Sequence, residues 1–380
     1  MSTTAPPTVT FALTEEQQLL RSMVRELLTE RATSARLREV MLGDEGYDAV
    51  LWRELADLGL VGLAIPEHLG GGGSGFVEVS IVLEELGRVL APVPYLSSVV
   101  LGATVVATGG SEDQQARVLP DVATGSTRLA LAHLDTAGRL TGPPGIRASR
   151  VADGWVLEGE AGYVVDGRTA TDLVVAATTD DGLELFLVDA EADGVERTDV
   201  EVLDATRPMA TVGFSGVRVD DANRLTGAEP MAALHAGLQA AVVAIACEQV
   251  GGTQRTLEDA TAYARDRVQF GRAIGSFQAV KHRLAEMLVA AESARSAAHH
   301  AARVLATDER QELAVAAPLA KAYCSEVYEQ ATGDAIQIFG GIGFTWEHDT
   351  HLYFKRAKST KLLLGDPKHH RSLLGGALGI

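Results

Sequence analysis

No proline interrupts residues 231 to 317, so this stretch is free to run as helices far longer than a small domain needs. Upstream of it, from roughly Leu129 to Gly227, the pattern is of another kind. Short β-rich runs occur at Leu129 to Leu134, Trp155 to Gly159, Asp172 to Ala177, Leu183 to Val188 and Thr211 to Val219. Punctuation such as Ala152-Asp153-Gly154 and Asp180-Asp181-Gly182 separates them, which predicts a small antiparallel sandwich or barrel. The first third is helical again. Thr14 and Gln17 form a capping-box pattern ahead of Leu19, Leu20, Met23, Val24, Leu27 and Leu28, and Ser111 with Gln114 repeats it. Leu51, Trp52, Leu55 and Leu58 make a second apolar stripe, and a glycine loop, Gly70 to Gly73, precedes a third helical run ended by Pro92 and Pro94. The expected architecture is α+β but mostly α, with three domains: residues 1–126 helical, 127–228 β, and 229–380 a helical bundle.

Charge narrows the partners. With 33 basic against 51 acidic side chains the formal net charge is -18, a field that repels nucleic acid and anionic lipid surfaces. Any anionic ligand must then be met by local donors. Cys247 and Cys324 are the only cysteines, and their apolar helical surroundings predict buried, reduced thiols. The segment MSTTAPPTVTFAL has no basic region leading into an apolar one, and even Leu238 to Cys247 is too short to span a bilayer. These features fit a reducing cytoplasm and no membrane partner.

Two segments carry chemistry. In Tyr263-Ala264-Arg265-Asp266-Arg267-Val268-Gln269-Phe270-Gly271, a long helix meets a Phe-Gly turn, with Ser276 placed to cap the next helix. An arginine at such a corner can fork onto a pyrophosphate, with Gln278 bonding the same ligand from the next helix start. Equally, spacing alone allows a surface arginine beside a structural turn. In Gln337-Ile338-Phe339-Gly340-Gly341-Ile342-Gly343-Phe344, paired glycines let a backbone or a flat ligand come close. No strand leads into them, so this is not a dinucleotide fingerprint.

Together with Leu13-Thr14-Glu15-Glu16-Gln17 and Pro66-Glu67 ahead of the glycine loop, these segments resemble, in order and over nearly the whole chain, the acyl-CoA dehydrogenase family. The resemblance implies a helical N-domain, a middle β-barrel, a C-terminal four-helix bundle, and usually a tetramer. It implies FAD-dependent α,β-dehydrogenation of an acyl-CoA thioester, with electrons passed to an electron-transferring flavoprotein. In the family one FAD is shared across a subunit interface. Residues matching Arg267, Gln269, Phe270, Phe277, Gln278, Gln337, Gly340 and Gly341 hold its ADP portion, and that half looks intact.

The half around the flavin ring departs from the pattern. Where the family carries a Thr-Glu-Pro-Gly-Ser-rich segment, this chain has Leu134-Asp135-Thr136-Ala137-Gly138; a Trp-Ile-Thr segment is replaced by Tyr163-Val164-Val165. Each lost hydroxyl removes a hydrogen bond of roughly 1 kcal/mol. The reaction also needs a carboxylate with a raised pKa to take the α-proton. The usual glutamate position, 27 residues after Gln337, is Leu364, and the alternative family position on the upstream helix is Ala241, followed by Val242. Two acids could substitute: Glu248, two turns along the same helical face, and Asp366, two residues from Leu364. Glu347 matches a family acid that is not the base. Glu347, His348, Asp349 and His351 have the wrong spacing for a helical zinc site, so no metal is expected. The pairs His299-His300 and His369-His370 read as solvated or helix-end residues.

In bacterial steroid-degrading members of the family, two non-identical subunits divide these tasks. One supplies the base and the ring pocket, and the other donates the ADP-binding surface. This sequence resembles the second type, in an α2β2 complex acting on a bulky acyl-CoA. The alternatives are a self-sufficient homotetramer with Glu248 or Asp366 as base, and a non-catalytic acyl-CoA or flavin-binding scaffold.

Overall fold

The computed structural model describes residues 13–307 and 309–380; the remainder of the N-terminal segment read for a targeting signal lies outside them. The chain opens with helices α1 (Glu15–Arg31), α2 (Ser34–Leu42), α3 (Ala49–Asp57) and α4 (Phe76–Arg88). A π-helical segment, Tyr95–Gly102, then leads into α5 (Ala103–Gly109) and α6 (Glu112–Ala123). Both capping boxes form: Thr14 accepts from Gln17 N and Ser111 from Gln114 N, with the two glutamine side chains reaching back. α4 ends before Pro92, and Pro94 instead precedes the π segment.

The middle of the chain is one sheet of β1 (Leu129–Ala132), β2 (Ile146–Val151), β3 (Gly154–Val165), β4 (Asp172–Thr179), β5 (Gly182–Asp189), β6 (Val195–Asp199) and β7 (Met209–Val219). It is mixed rather than purely antiparallel. The β2–β3 hairpin intervenes between β1 and β4, so β4 returns parallel to β1, Leu129 opposite Asp172. β2 and β6 were not expected, because neither is an apolar run. β2 alternates buried with exposed residues, and β6, Val195-Glu196-Arg197-Thr198-Asp199, is an edge strand whose charges guard it against further pairing.

From Pro230 the helices return as α7 (Pro230–Asp266), α8 (Gln278–Thr307), α9 (Arg310–Phe339), α10 (Thr350–Leu362) and α11 (Pro367–Leu378). Between α7 and α8 lies a two-stranded hairpin, β8 (Val268–Gln269) and β9 (Arg272–Ala273). α7 packs on α8, α9 and α10, and α4 lies along its outer side. Gly87 and Gly251 make that contact possible: a Cβ on Gly251 would sit 1.8 Å from Glu84 O. By length and composition α7 is apolar enough to cross a membrane, yet 61% of its apolar window is buried within the protein, between α4 and α9. Cys247 and Cys324 are free and buried, as expected.

Candidate functional site

Helix α7 ends at Asp266, and Arg267 closes it by donating its N–H to Tyr263 O. The β8–β9 hairpin turns through Phe270 (φ 51°) and Gly271 (φ 75°), both left-handed, which fits a two-residue hairpin twist. The turn holds Phe270 out at 91% exposure, edge-on to Phe277 with ring centroids 6.1 Å apart. Arg272 lies 4.0 Å over the Phe277 ring. Ser276 does not cap α8; its hydroxyl donates to Ala273 O within a short 3₁₀ turn, and α8 begins at Gln278.

At the end of α9, Gln337 is exposed and Gly340 (φ 66°) turns the chain into a 3₁₀ segment. A Cβ at Gly340 or Gly341 would meet no atom within 4 Å, so both face open space. Tyr263 and Phe339 pack ring on ring at 4.6 Å, above a cluster including Leu257, Ala264, Met287, Ala335 and Ile338. This brings the end of α7, the start of α8 and the end of α9 to one end of the bundle. The side chains of Arg267, Gln269, Gln278 and Gln337 have no polar partner among the described residues. One free guanidinium, three free amides, an aromatic and a Cβ-free turn on one face suit an anionic, partly aromatic ligand such as the ADP portion of FAD.

A second feature lies at the far end of β1. Leu96 and Leu101 of the π segment, Leu131, His133 and Leu134, Tyr163 and Val165 of β3, and Leu363 with Leu364 close around a cavity of about 10 Å³. That is at most room for one water. The Tyr163 ring lies against Gly138, where an added Cβ would be 2.9 Å from it. Asp135 accepts from the N–H groups of Ala137 and Arg139, closing the intervening turn on itself. His133 faces this apolar site with Nε2 buried and unpartnered, and burial pushes its pKa down to about 4, so the imidazole is neutral. The lining holds no carboxylate, its only polar side chains are His133 and Tyr163, and the cavity's volume is far below that of a flavin ring. The ring therefore does not fit here as the site stands.

Leu364 is 8% exposed and lines that cavity at φ 57°, so the position that the resemblance assigns to the base presents an apolar side chain. Ala241 is buried within α7 in the same hydrophobic core. Neither substitute acid is free. Arg207 Nη2 donates to both carboxylate oxygens of Glu248 at 2.7 and 2.6 Å, with both residues 7% exposed. Asp366 is the N-cap of α11 and accepts from His369 N at 2.8 Å; that bond holds its carboxyl below the ordinary range. A base needs the opposite shift.

Glu347 is exposed. Asp349 pairs with Arg38, His348 Nδ1 lies 2.6 Å from the Thr350 hydroxyl, and His351 sits edge-on to Trp346. No metal-binding group forms among the described residues. His299 reaches the buried Glu84 at 2.9 Å, and His300 pairs with Glu312. His370 departs from expectation: it is buried, with Nε2 3.0 Å from Leu364 O. The sequence reading also missed Arg207 and Lys321. Lys321 gave one signal, a cationic side chain inside an otherwise apolar helical stretch, whereas Arg207 sits in a polar loop and gave none, its partner Glu248 being distant in sequence.

The family description "Acyl-CoA dehydrogenase, C-terminal domain" matches residues 231–379, and "Acyl-CoA dehydrogenase, N-terminal domain" matches residues 14–126. Acyl-CoA dehydrogenase IpdE2 of Mycolicibacterium smegmatis is 35% identical over 94% of this chain and 96% of its own length. A chain of the ChsE4-ChsE5 complex from Mycobacterium tuberculosis superposes with a TM-score of 0.89 at 32% identity, covering 98% of this chain and 99% of that one. A chain of the Tcur3481-Tcur3483 steroid ACAD superposes with a TM-score of 0.86 at 33% identity, covering 96% and 98%.

Proposed function

Because the chain belongs to the acyl-CoA dehydrogenase family, we propose that it is the subunit that lends the ADP-binding half of an FAD site to a catalytic partner. The assembly would be a heterotetramer with two copies of each chain, working in the cytoplasm on a bulky acyl-CoA such as a steroid side-chain thioester. One observation carries this reading: the polar face at the end of the bundle is free, while the ring cavity is filled by leucines, with Leu364 at the base position. The likeness to chains of the ChsE4-ChsE5 complex and of a steroid ACAD supports both the pairing and the substrate class.

Arg267 would fork onto the pyrophosphate, Gln269, Gln278 and Gln337 would bond its edges, and Phe270 and Phe277 would pack the aromatic portion beside the Gly340-Gly341 turn. Bound FAD supplies a hydride acceptor. A carboxylate of the partner would take the α-proton, and an electron-transferring flavoprotein would be the next electron acceptor. This chain's own contribution is to bind and orient the cofactor.

The visible spectrum and dye-coupled activity of the chain purified alone test the reading. A colourless or weakly yellow protein, inert toward acyl-CoAs until a partner is added, is the expected result. One flavin per chain with turnover would overturn it.

A further inference from the structure

Leu364 sits in a turn that its own sequence does not favour. A leucine at φ 57° is strained, and Gly365 follows at φ 105°, where a Cβ would come within 2.5 Å of the His369 ring. Something outside the turn must hold it. Lys321, on α9 and 0% exposed, donates from Nζ to Gly365 O at 3.0 Å, Lys361 O at 3.2 Å and Ser325 Oγ at 3.2 Å. All three ammonium hydrogens are used, and two of them bracket the turn. The Ser325 hydroxyl is fixed in turn by Gln249, whose amide also donates to Thr360 Oγ1 at 3.1 Å. From the other side, His370 Nε2 meets Leu364 O at 3.0 Å. The carbonyls of Lys361, Leu364 and Gly365 are thus held by buried donors from α9 and α11, while Gly365 N–H donates to Leu362 O within the turn.

We propose that Lys321 and His370 are positioning residues, which clamp residues 361–366 in the one shape that keeps Leu364 wedged in the ring cavity. The consequence rests on the partner-subunit reading. With Leu364 seated, this chain's own ring cavity stays closed to a flavin ring whose adenylate end a neighbouring chain would hold. Lys321 and His370 thereby keep the second ring pocket of the assembly shut, although neither touches a cofactor.

The test uses the full chain with methyl-labelled leucine and methionine, the Leu364 resonances being assigned by their loss in Leu364→Ile. Lys321→Met and His370→Ala should each move the Leu364 methyl signals toward averaged positions. They should also speed exchange of the Gly365 amide about ten- to a hundredfold, the loss of one buried hydrogen bond. Methyls of Leu257 and Met287, in the separate cluster at the adenylate end, should not move. A folded variant with unmoved Leu364 signals, or with all methyls shifted alike, overturns the clamp. Should Lys321→Met not fold, His370→Ala decides by the same signals. The outcome is independent of the partner reading, which fails separately if the wild-type chain binds its own flavin.

Discussion

Replacing Glu248 by glutamine separates two roles that the sequence left open. Arg207 is buried, its Nη1 has no partner, and its Nη2 donates to both oxygens of Glu248. Removing the carboxylate charge leaves a guanidinium in the interior opposed by a neutral amide. Breaking one side of such a pair costs about 3–5 kcal/mol, far more than a surface pair, because burial prevents water from compensating. Unfolding by urea, followed by circular dichroism, should show Glu248→Gln losing that amount, a hundredfold or more in the folded-to-unfolded ratio. Replacing both partners, as Arg207→Met with Glu248→Leu, should recover most of it, since a buried pair is often matched by apolar side chains of similar volume. Turnover of the assembled enzyme, measured below the transition, should be unchanged. If Glu248→Gln kept the wild-type urea midpoint and lost dehydrogenation by orders of magnitude, Glu248 would be the proton acceptor and the argument from its ion pair would be wrong.

Gly341→Ala should fold with wild-type stability, since its Cβ meets nothing, yet weaken FAD retention in the complex; equilibrium dialysis against FAD reads this directly. Acid should destabilise the wild type between pH 4.5 and about 2. Burial alone would raise the Glu84 carboxyl, but His299, Arg21 and Arg295 hold it down at about 2, so it stabilises the fold above 4.5 by about 3 kcal/mol and loses this as pH falls through 2. Glu84→Gln should flatten stability against pH in that window in an acid-unfolding titration. Asp366→Ala should cost about 1 kcal/mol for its lost N-cap and leave turnover unchanged, which melting and steady-state assays of the complex would show.

Local chemistry was readable from residue order. Thr14 with Gln17 and Ser111 with Gln114 declare helix starts because their hydrogen bonds span only three residues. The strands around Val174 and Phe186 declare themselves by apolar runs. β6 did not, because an edge strand with charges resembles a loop, and the parallel β1–β4 pairing has no local cause. At the site, the glycine turn and the Arg267 corner could be found by motif, and Leu364 by counting. What fills the cavity could not, because Leu96, Leu131 and Leu364 converge from distant segments. For the same reason Glu248 read as an available acid: Arg207, 41 residues upstream, lies in a different part of the fold. His370 read as solvated because its burial depends on α11 docking against α9.

Helix α7 also acts as a ruler. From Ala241, which the family resemblance gives as the second base position, to Arg267, at the corner proposed for the adenylate, it rises about 39 Å at 1.5 Å per residue. No single dinucleotide spans that distance, so the two half-sites of one chain cannot serve the same molecule. On the partner-subunit reading, each half is answerable only to a neighbouring chain. After gene duplication, a lesion in one half of one copy is therefore complemented by the intact half of the other. Two copies can decay in opposite halves until neither survives without its sibling.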